Sequence, residues 1–326
     1  MLPIYCFVAG FYLILISYQL FAIISVLYAI RRGRLYSEKS PIYIISTSNL
    51  FTDFVMLSLH LIYFVPSLFF QTYFFSKGVD DQVVIFFSSI FMVLWYQSTL
   101  SQVLMAINRV TVMCFSRFSV FTRKGTLFFT IGIYPIALTL AVFSQYIFPC
   151  CRLTFDYNVY SYRYVEKAGI LNYPNTYFDL PLNTTSTIVC VVCYSWIVRW
   201  LYVFNSKIST ECSQKKRNME IKYAKQFFFI SVFYMNGWTS FRYLPVLIGN
   251  NNLYLYSFCS LNALLCFGAN GLVYYHTNSE VRAILRKDPR SSDAQSSSHG
   301  LNIYSQEIPK QQENSKKQSG ESSIKF

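Results

Sequence analysis

Charged residues are scarce in this chain. They make up 13% of the 326 residues, whereas a soluble globular protein usually carries about 25%. Hydrophobic residues account for 53% and aromatic residues for 19%, with 31 Phe and 27 Tyr. This composition excludes a soluble domain as the main body of the chain and favours a protein that is surrounded mostly by lipid. The mean hydropathy of +0.33 is modest because Tyr is scored as polar and the C-terminal segment is hydrophilic.

The sequence also lacks the groups that enzymes and metal sites need. It has 3 His and 15 acidic residues, and we find no His, Asp and Glu cluster in the apolar stretches. Cys190 and Cys193 form a CxxC pair, but no second pair or nearby His accompanies them, so packing is a better explanation than zinc. We therefore predict no enzyme activity, no metal site and no cofactor.

Long apolar runs define the architecture. A membrane helix needs about 20 mainly apolar residues, and membrane strands need only about 10. We find seven runs of helix length, and no internal repeat of the kind that marks many transporters. The predicted fold is an all-α bundle of seven transmembrane helices over residues 1–287, followed by a disordered tail over 288–326 that is rich in Ser, Gln and Lys. The predicted spans lie near residues 4–30, 42–70, 83–113, 126–148, 186–206, 223–248 and 252–275.

Basic residues set the predicted orientation. The net charge is +13, but most Lys and Arg residues cluster after spans one, three and five and in the tail. This distribution is typical of cytoplasmic loops and places the N-terminus outside and the C-terminus in the cytoplasm, so we do not predict nucleic-acid binding. The N-terminus lacks a basic segment and a cleavage site, and its apolar run is interpreted as the first span. An N-x-[ST] sequon at 183–185 falls in a predicted outer loop, which makes Asn183 the predicted glycosylation site.

Five polar positions inside the spans are candidate functional residues. Arg109, with Asn108 beside it, lies near the inner end of span three in the stretch LMAINRVTVMCF. Asp53 is the only acid of span two and falls near the middle of the membrane, where a carboxylate is a functional candidate. Asn270 and Tyr274 are four residues apart, so they share one face of span seven.

These features resemble the rhodopsin-like G-protein-coupled receptors. In that family an acidic residue, an Arg and an aromatic residue close the third helix, and the Arg is freed on activation to meet the G protein. Here Asn108 and Arg109 keep the Arg without the acid, so the ionic restraint on the resting state is weaker or is supplied from elsewhere. The stretch from Asn270 to Tyr274 resembles the family motif Asn-Pro-x-x-Tyr, with Gly271 in place of Pro. The resemblance implies that these residues act in G-protein coupling and activation.

The same resemblance implies a polar core. The family has an Asp in its second helix that pairs with the Asn of span seven around a sodium ion. This implies a cluster of Asp53, Asn270 and Ser98, the last lying eleven residues before Arg109 on the same face of span three. The alternative is a protonated Asp53 that is hydrogen-bonded to a neighbour. The stretch TNSEVRAILRK after span seven is interpreted as a short amphipathic helix on the inner membrane surface, as in the family.

Helical spacing also indicates a ligand pocket. Phe91 lies about 27 Å from Arg109 along one face of span three, where amine receptors carry an Asp, so a biogenic amine is disfavoured. Phe91 and Trp95 would form an aromatic wall, and Trp238 resembles the family's switch Trp in span six. Arg242, one turn further, either holds an acidic ligand or extends to the outer headgroups. Span seven has no Lys to bind retinal, and an aromatic pocket suits an apolar, volatile ligand.

The stretch PCCRLTFDYNVYSYRY and the Asn-Arg pair are similar to the nematode serpentine chemoreceptors of class X (Srx). The similarity covers about residues 1–287 and implies a plasma-membrane receptor on sensory cilia that detects small environmental molecules, as in olfaction, and activates a heterotrimeric G protein. Span three lacks an outer Cys, so Cys150 and Cys151 need another disulfide partner or stay free. Cys259 and Cys6 are the other cysteines near that side.

A seven-span ligand-gated channel subunit or a transporter is the alternative function. Insect odorant channels also have seven spans, but with the opposite orientation. A transporter would place charges on several facing spans, whereas only Asp53 is clearly deep in this sequence.

Overall fold

The fold is a bundle of seven long helices followed by one short helix. The computed structural model describes residues 3–35, 41–115, 121–204, 211–249 and 252–286. In these residues the helices, in chain order, are α1 (Ile4–Arg32), α2 (Ile42–Phe70), α3 (Gln82–Cys114), α4 (Arg123–Ile147), α5 (Leu180–Phe204), α6 (Glu211–Ile248), α7 (Ser257–Thr277) and α8 (Ser279–Arg286). The part up to Ile284 is one compact unit, and Leu285–Phe326 is a second unit, of which only the last two residues of α8 are described.

The predicted membrane spans all fall on helices. Six helices are long and apolar enough to cross a membrane by composition, namely all of the long ones except α6. Helix α6 begins with a charged segment, and its more apolar part, which corresponds to the predicted span 223–248, also contains polar residues such as Asn236 and Arg242. Large side chains on the outside of the bundle are apolar, for example Phe7 (74% exposed), Phe128 (73%) and Tyr202 (88%). The chain therefore has the apolar exterior of a seven-transmembrane bundle.

Two helix boundaries differ from the predicted spans. The fifth helix begins at Leu180, after a π-helical turn over Pro174–Asp179, rather than near residue 186. Asp179, Asn183 and Ser186, which lie around this start, are polar but buried. Their low hydropathy makes the start of the helix hard to recognise in the sequence. The sixth helix begins at Glu211, well before residue 223. The predicted disordered tail over 288–326 lies outside the described residues.

An antiparallel hairpin covers part of the outer end of the bundle. Strand β1 (Leu153–Asp156) pairs with β2 (Ser161–Tyr164), with Leu153 opposite Tyr164. Phe155 is fully buried, and its ring lies 4.2 Å from the ring of Phe64 on α2. Tyr162 stacks on Phe91 of α3 at 3.8 Å. The hairpin therefore inserts into the outer end of the bundle, where its apolar side chains pack against the aromatic residues of the core.

The cysteines at the base of the hairpin differ from the expectation. Cys150 and Cys151 form a disulfide with each other, whereas the sequence pointed to another partner or to free thiols. Cys6 and Cys259, the two alternatives near that side, are free. Because the two adjacent thiols are bonded to each other, neither forms a disulfide with a more distant cysteine.

Candidate functional site

The arginine of α3 is buried at the inner end of the bundle. Arg109 is 3% exposed, and its Nη2 and Nε donate to Asn108 Oδ1 at 2.6 and 3.2 Å. Its guanidinium also lies over the ring of Phe227 on α6, 5.3 Å from the ring centre. A cation above an aromatic face is attracted to it. In this arrangement α6 therefore covers Arg109.

Hydrogen bonds near the inner end of the bundle join four helices, α2, α6, α7 and α8. Tyr43 of α2 and Tyr223 of α6 both donate to the Glu280 carboxylate of α8, and Tyr223 does so at 3.0 Å. Tyr274 of α7 shares a hydrogen bond with Ser46 of α2. These contacts attach the inner part of α6 to α8. They are a candidate source of the restraint on the resting state that the neutral Asn108 does not supply.

The mid-membrane polar residues meet as a buried group. Asn270 Nδ2 donates to Asp53 Oδ2 at 2.7 Å, and both residues are almost fully buried. Asn270 Oδ1 has no hydrogen-bond partner among the described residues. Beside them, Ser101 donates to Asn49 Oδ1 at 2.5 Å. A carboxylate with an unpartnered amide oxygen is a donor set that suits a hard cation.

Ser98 stands apart from this pair. It is buried, at 9% exposed, but in the described part of the chain no hydrogen bond joins it to Asp53 or Asn270. Ser101 and Asn49, which the sequence did not single out, form the adjoining polar contact between α3 and α2. Ser101 is three residues after Ser98, so the two serines lie on nearly the same face of α3. The orientation of α3 about its own axis determines which of them contacts α2.

A cavity of about 520 Å³ opens beneath the hairpin at the outer end of the bundle. Its walls come from α2, α3, α5, α6, α7 and the hairpin. The four residues predicted to line a ligand pocket all line it, namely Phe91, Trp95, Trp238 and Arg242. Arg242 is exposed, and within the described residues it forms no ion pair. This cavity is the candidate ligand site.

Three further cavity residues were missed by the sequence analysis. His60 is buried, donates from Nδ1 to Met56 O at 2.7 Å, and packs its ring 6.0 Å from that of Phe91. Tyr162 enters from the hairpin, and Asp179 enters from the turn before α5. The only available signal for Asp179 was an acid close to a span, and placing the span near residue 186 left that acid in a loop.

Asn183 is not available for glycosylation. It is 1% exposed, lies on α5 and lines the cavity. Its Nδ2 donates to Asp179 O at 2.7 Å, and its Oδ1 accepts from Tyr234 of α6 and Thr99 of α3. The predicted outer loop is helix at this point, so the sequon is buried in the bundle and the prediction is wrong.

Polar groups of the outer loops are largely paired. Arg163 forms an ion pair with Asp156 across the hairpin at 2.5 Å. Asp81 accepts the backbone N–H groups of Val83 and Lys77 at the start of α3, and these hydrogen bonds lower the pKa of its carboxyl. Burial raises the pKa of Tyr73 to about 12. The charged groups of the hairpin and loops described here are therefore engaged in contacts within these segments. The cavity wall is the region of the outer end that we consider for ligand binding.

Comparison with known proteins agrees with this geometry. The family described as "Serpentine type 7TM GPCR chemoreceptor Srx" matches residues 15–278. Among solved structures, squid rhodopsin is similar with a TM-score of 0.66 and 14% sequence identity, over 87% of this chain and 80% of that chain. Curated protein sequences gave no match. At this identity, the likeness to squid rhodopsin establishes the fold alone.

Proposed function

Because the chain belongs to the Srx family of serpentine seven-transmembrane chemoreceptors and is a G-protein-coupled chemosensory receptor, we propose that its ligand binds in the outer cavity and that a heterotrimeric G protein binds around Arg109. One observation carries this proposal. Phe91 and Trp95 line the cavity while Arg109 lies near the other end of the same helix, α3. A single rigid element thus connects the two sites.

The contact between Phe227 and Arg109 supports assigning the described arrangement to the resting receptor. With α6 over Arg109, the guanidinium is 3% exposed and has no open path to a cytoplasmic partner. A ligand shifts such an equilibrium by binding the active arrangement more tightly than the resting one. In the active arrangement α5 and α6 move away and Arg109 meets the G protein. Asn108, Asn270 and Tyr274 act with Arg109 in this step.

The receptor is a multi-pass membrane protein of the chemoreceptor family. We propose the plasma membrane of sensory cilia as its location and a small environmental molecule as its stimulus. No finding favours a ligand-gated channel subunit or a transporter. Asp53 is the deep acid of the bundle, and its described partner is the neutral side chain of Asn270, which is not the series of facing charges that ion transport needs.

The decisive experiment replaces Arg109 with Ala in cells that report second messengers. We expect Arg109→Ala to abolish signalling evoked by a panel of small volatile and acidic compounds, because the group that meets the G protein is gone. The matched control is Arg31→Ala, at the exposed inner end of α1, which should signal normally. An N-terminal epitope that is stained on unpermeabilised cells measures surface delivery and orientation together.

Two results would contradict the proposed function. Unchanged signalling by Arg109→Ala at equal surface staining removes the coupling role of Arg109. An epitope that is accessible only after permeabilisation inverts the topology and points to the channel alternative.

We also propose that Asp53, Ser98 and Asn270 hold a sodium ion between the cavity and Arg109. The support is the Asp53–Asn270 hydrogen bond and the buried, unpartnered Oδ1 of Asn270. Sodium chloride should raise the melting temperature of the purified receptor above its value in potassium chloride, and Asp53→Asn should remove the difference. Equal melting temperatures of the original receptor in both salts would refute the site.

A further inference from the structure

The carboxylate of Asp179 is buried in the wall of the outer cavity, and no described cation pairs with it. We propose that the ligand is a small protonated amine and that Asp179 is its counter-charge. This inference rests on the proposed function, because it requires the ligand to occupy this cavity.

The two oxygens of Asp179 differ in their surroundings. Oδ2 accepts the hydroxyl of Tyr164 from strand β2. Oδ1 is buried and has no hydrogen-bond partner among the described residues. The hydroxyl of Tyr96 lies close enough to interact with the Asp179 carboxyl group. Both neighbours of this buried carboxylate are thus neutral hydroxyl groups, which do not cancel its charge, so a cation brought by a ligand gains an unusually favourable contact.

Aromatic rings surround the space beside this carboxylate. Phe91 and Trp95 stack with ring centres 6.3 Å apart on α3, and Trp238 and Phe241 line the cavity from α6. Aromatic faces attract ammonium groups, and the attraction grows when the cation is removed from water. A carboxylate among aromatic walls is a combination that recognises an organic cation.

The remaining charges of the cavity do not reverse this preference. Arg163 is already paired with Asp156, and its side chain is 57% exposed. Glu166 accepts a hydrogen bond from Asn172 and adds further negative charge. Arg242 is the remaining cation of the lining, and it is exposed, whereas Asp179 is 7% exposed. The buried charge of the site is therefore negative and the unpaired positive charge is solvated.

This inference reverses the expectation that an amine is disfavoured. That expectation depended on Phe91, which stands where amine receptors carry their Asp on the third helix. In this bundle a carboxylate reaches the same cavity from the turn before α5 instead.

The test uses probes that share a skeleton and differ in charge. The purified full-length receptor in lipid nanodiscs is titrated with benzylamine and 2-phenylethylamine, with the corresponding alcohols, and with benzoate and phenylacetate, and thermal stabilisation is measured. We expect the amines to stabilise the receptor at concentrations at least about tenfold lower than the alcohols or carboxylates need. Asp179→Asn should weaken amine binding about ten- to a hundredfold, because an ionic hydrogen bond is lost, and should leave alcohol binding unchanged.

The matched control is Asp80→Asn, which neutralises an exposed acid of the loop before α3 that does not line the cavity and should leave amine binding within about twofold. Asp179→Glu keeps the charge and should retain most of the affinity even if Asp179→Asn fails to fold, which its melting curve without ligand reveals. The inference is overturned if alcohols or carboxylates stabilise the receptor as well as amines, if no amine stabilises it, or if a folded Asp179→Asn binds amines unchanged.

Failure of this inference is distinct from failure of the proposed function. If another class of compound evokes signalling that Arg109→Ala abolishes, the amine inference is wrong and the receptor function stands. If signalling does not depend on Arg109, the proposed coupling fails, whatever the amines do in the binding assay.

Discussion

Gly271 occupies a point where α7 lies against α1 with no room for a side chain. A Cβ at this position would lie 2.5 Å from Ile23 Cγ1 and 3.3 Å from the backbone N of Ile23. The sequence comparison treated Gly271 as a substitute for the Pro that bends the helix in related receptors. The close approach to α1 gives it a second role, in packing.

We predict that Gly271→Ala destabilises the receptor by about 1–3 kcal/mol, the usual cost of overpacking a core. Gly132→Ala is the matched control, because nothing lies within 4 Å of a Cβ at that position on α4. The control should be neutral or slightly stabilising, since Ala favours helix more than Gly does by about 1 kcal/mol. Thermal unfolding of the two purified variants measures the difference. Equal melting temperatures would show that α1 and α7 can separate without cost.

Helix α8 acts as a fastening element for its neighbours. Its Glu280 carboxylate accepts hydrogen bonds from Tyr43 of α2 and Tyr223 of α6, and Asn278 Oδ1 caps the helix by accepting from the N–H groups of Glu280 and Val281 at 3.0 Å. A hydrogen bond to a charged group contributes about 1.5–3 kcal/mol. Such a contact can supply the restraint on α6 that the neutral Asn108 does not.

We predict that Tyr223→Phe raises signalling in the absence of ligand severalfold, because about 1 kcal/mol of restraint on α6 shifts a two-state equilibrium about fivefold. Tyr243→Phe is the matched control, since Tyr243 is on the same helix, is 58% exposed and has no described hydrogen bond. Second-messenger levels at equal surface expression measure the effect. A basal level that is unchanged in Tyr223→Phe and in Glu280→Gln would remove α8 from the resting restraint.

At the scale of the whole molecule, the distribution of polar and apolar side chains suits a lipid environment. Apolar side chains cover the exterior, while tyrosines such as Tyr12, Tyr234 and Tyr274 are buried and place their hydroxyls in hydrogen bonds between helices. In lipid, interhelical hydrogen bonds and close packing replace the hydrophobic effect as the source of helix association. The abundance of Tyr thus has a structural explanation that is separate from ligand binding.

In the proposed mechanism, the outer cavity and the buried Arg109 are the two coupled sites of the molecule. Phe91 and Arg109 are separated by five turns of α3, about 27 Å. The helices that line the cavity are those that meet at the inner cluster, since α6 contributes Trp238 to the former and Phe227 to the latter. Under the proposed function, a ligand that repositions α6 at the outer end would therefore change how α6 covers Arg109 at the inner end.

The sequence alone determined the class and the number of the spans, and it predicted their direction and the candidate site positions. Hydropathy and positive charge act locally along the chain, so the seven helices and the amphipathic α8 could be predicted from short windows. Helical spacing put Phe91 and Trp95 on one face of span three and Arg242 one turn from Trp238, because residues three or four apart keep a common face. The resemblance to the receptor family singled out Trp238, and the structure brings all four residues to one cavity.

Only the tertiary structure decided which polar residues are inside and what they contact. The start of α5 is too polar for a hydropathy window, so Asp179 entered the cavity unpredicted and Asn183 was mistaken for an exposed glycosylation site. The hydrogen bond between Ser101 and Asn49, the bond between Cys150 and Cys151, and the Glu280 contact with α6 also depend on how the elements pack. Contacts between residues far apart in the chain are set by helix rotation and close approach, which no local pattern records.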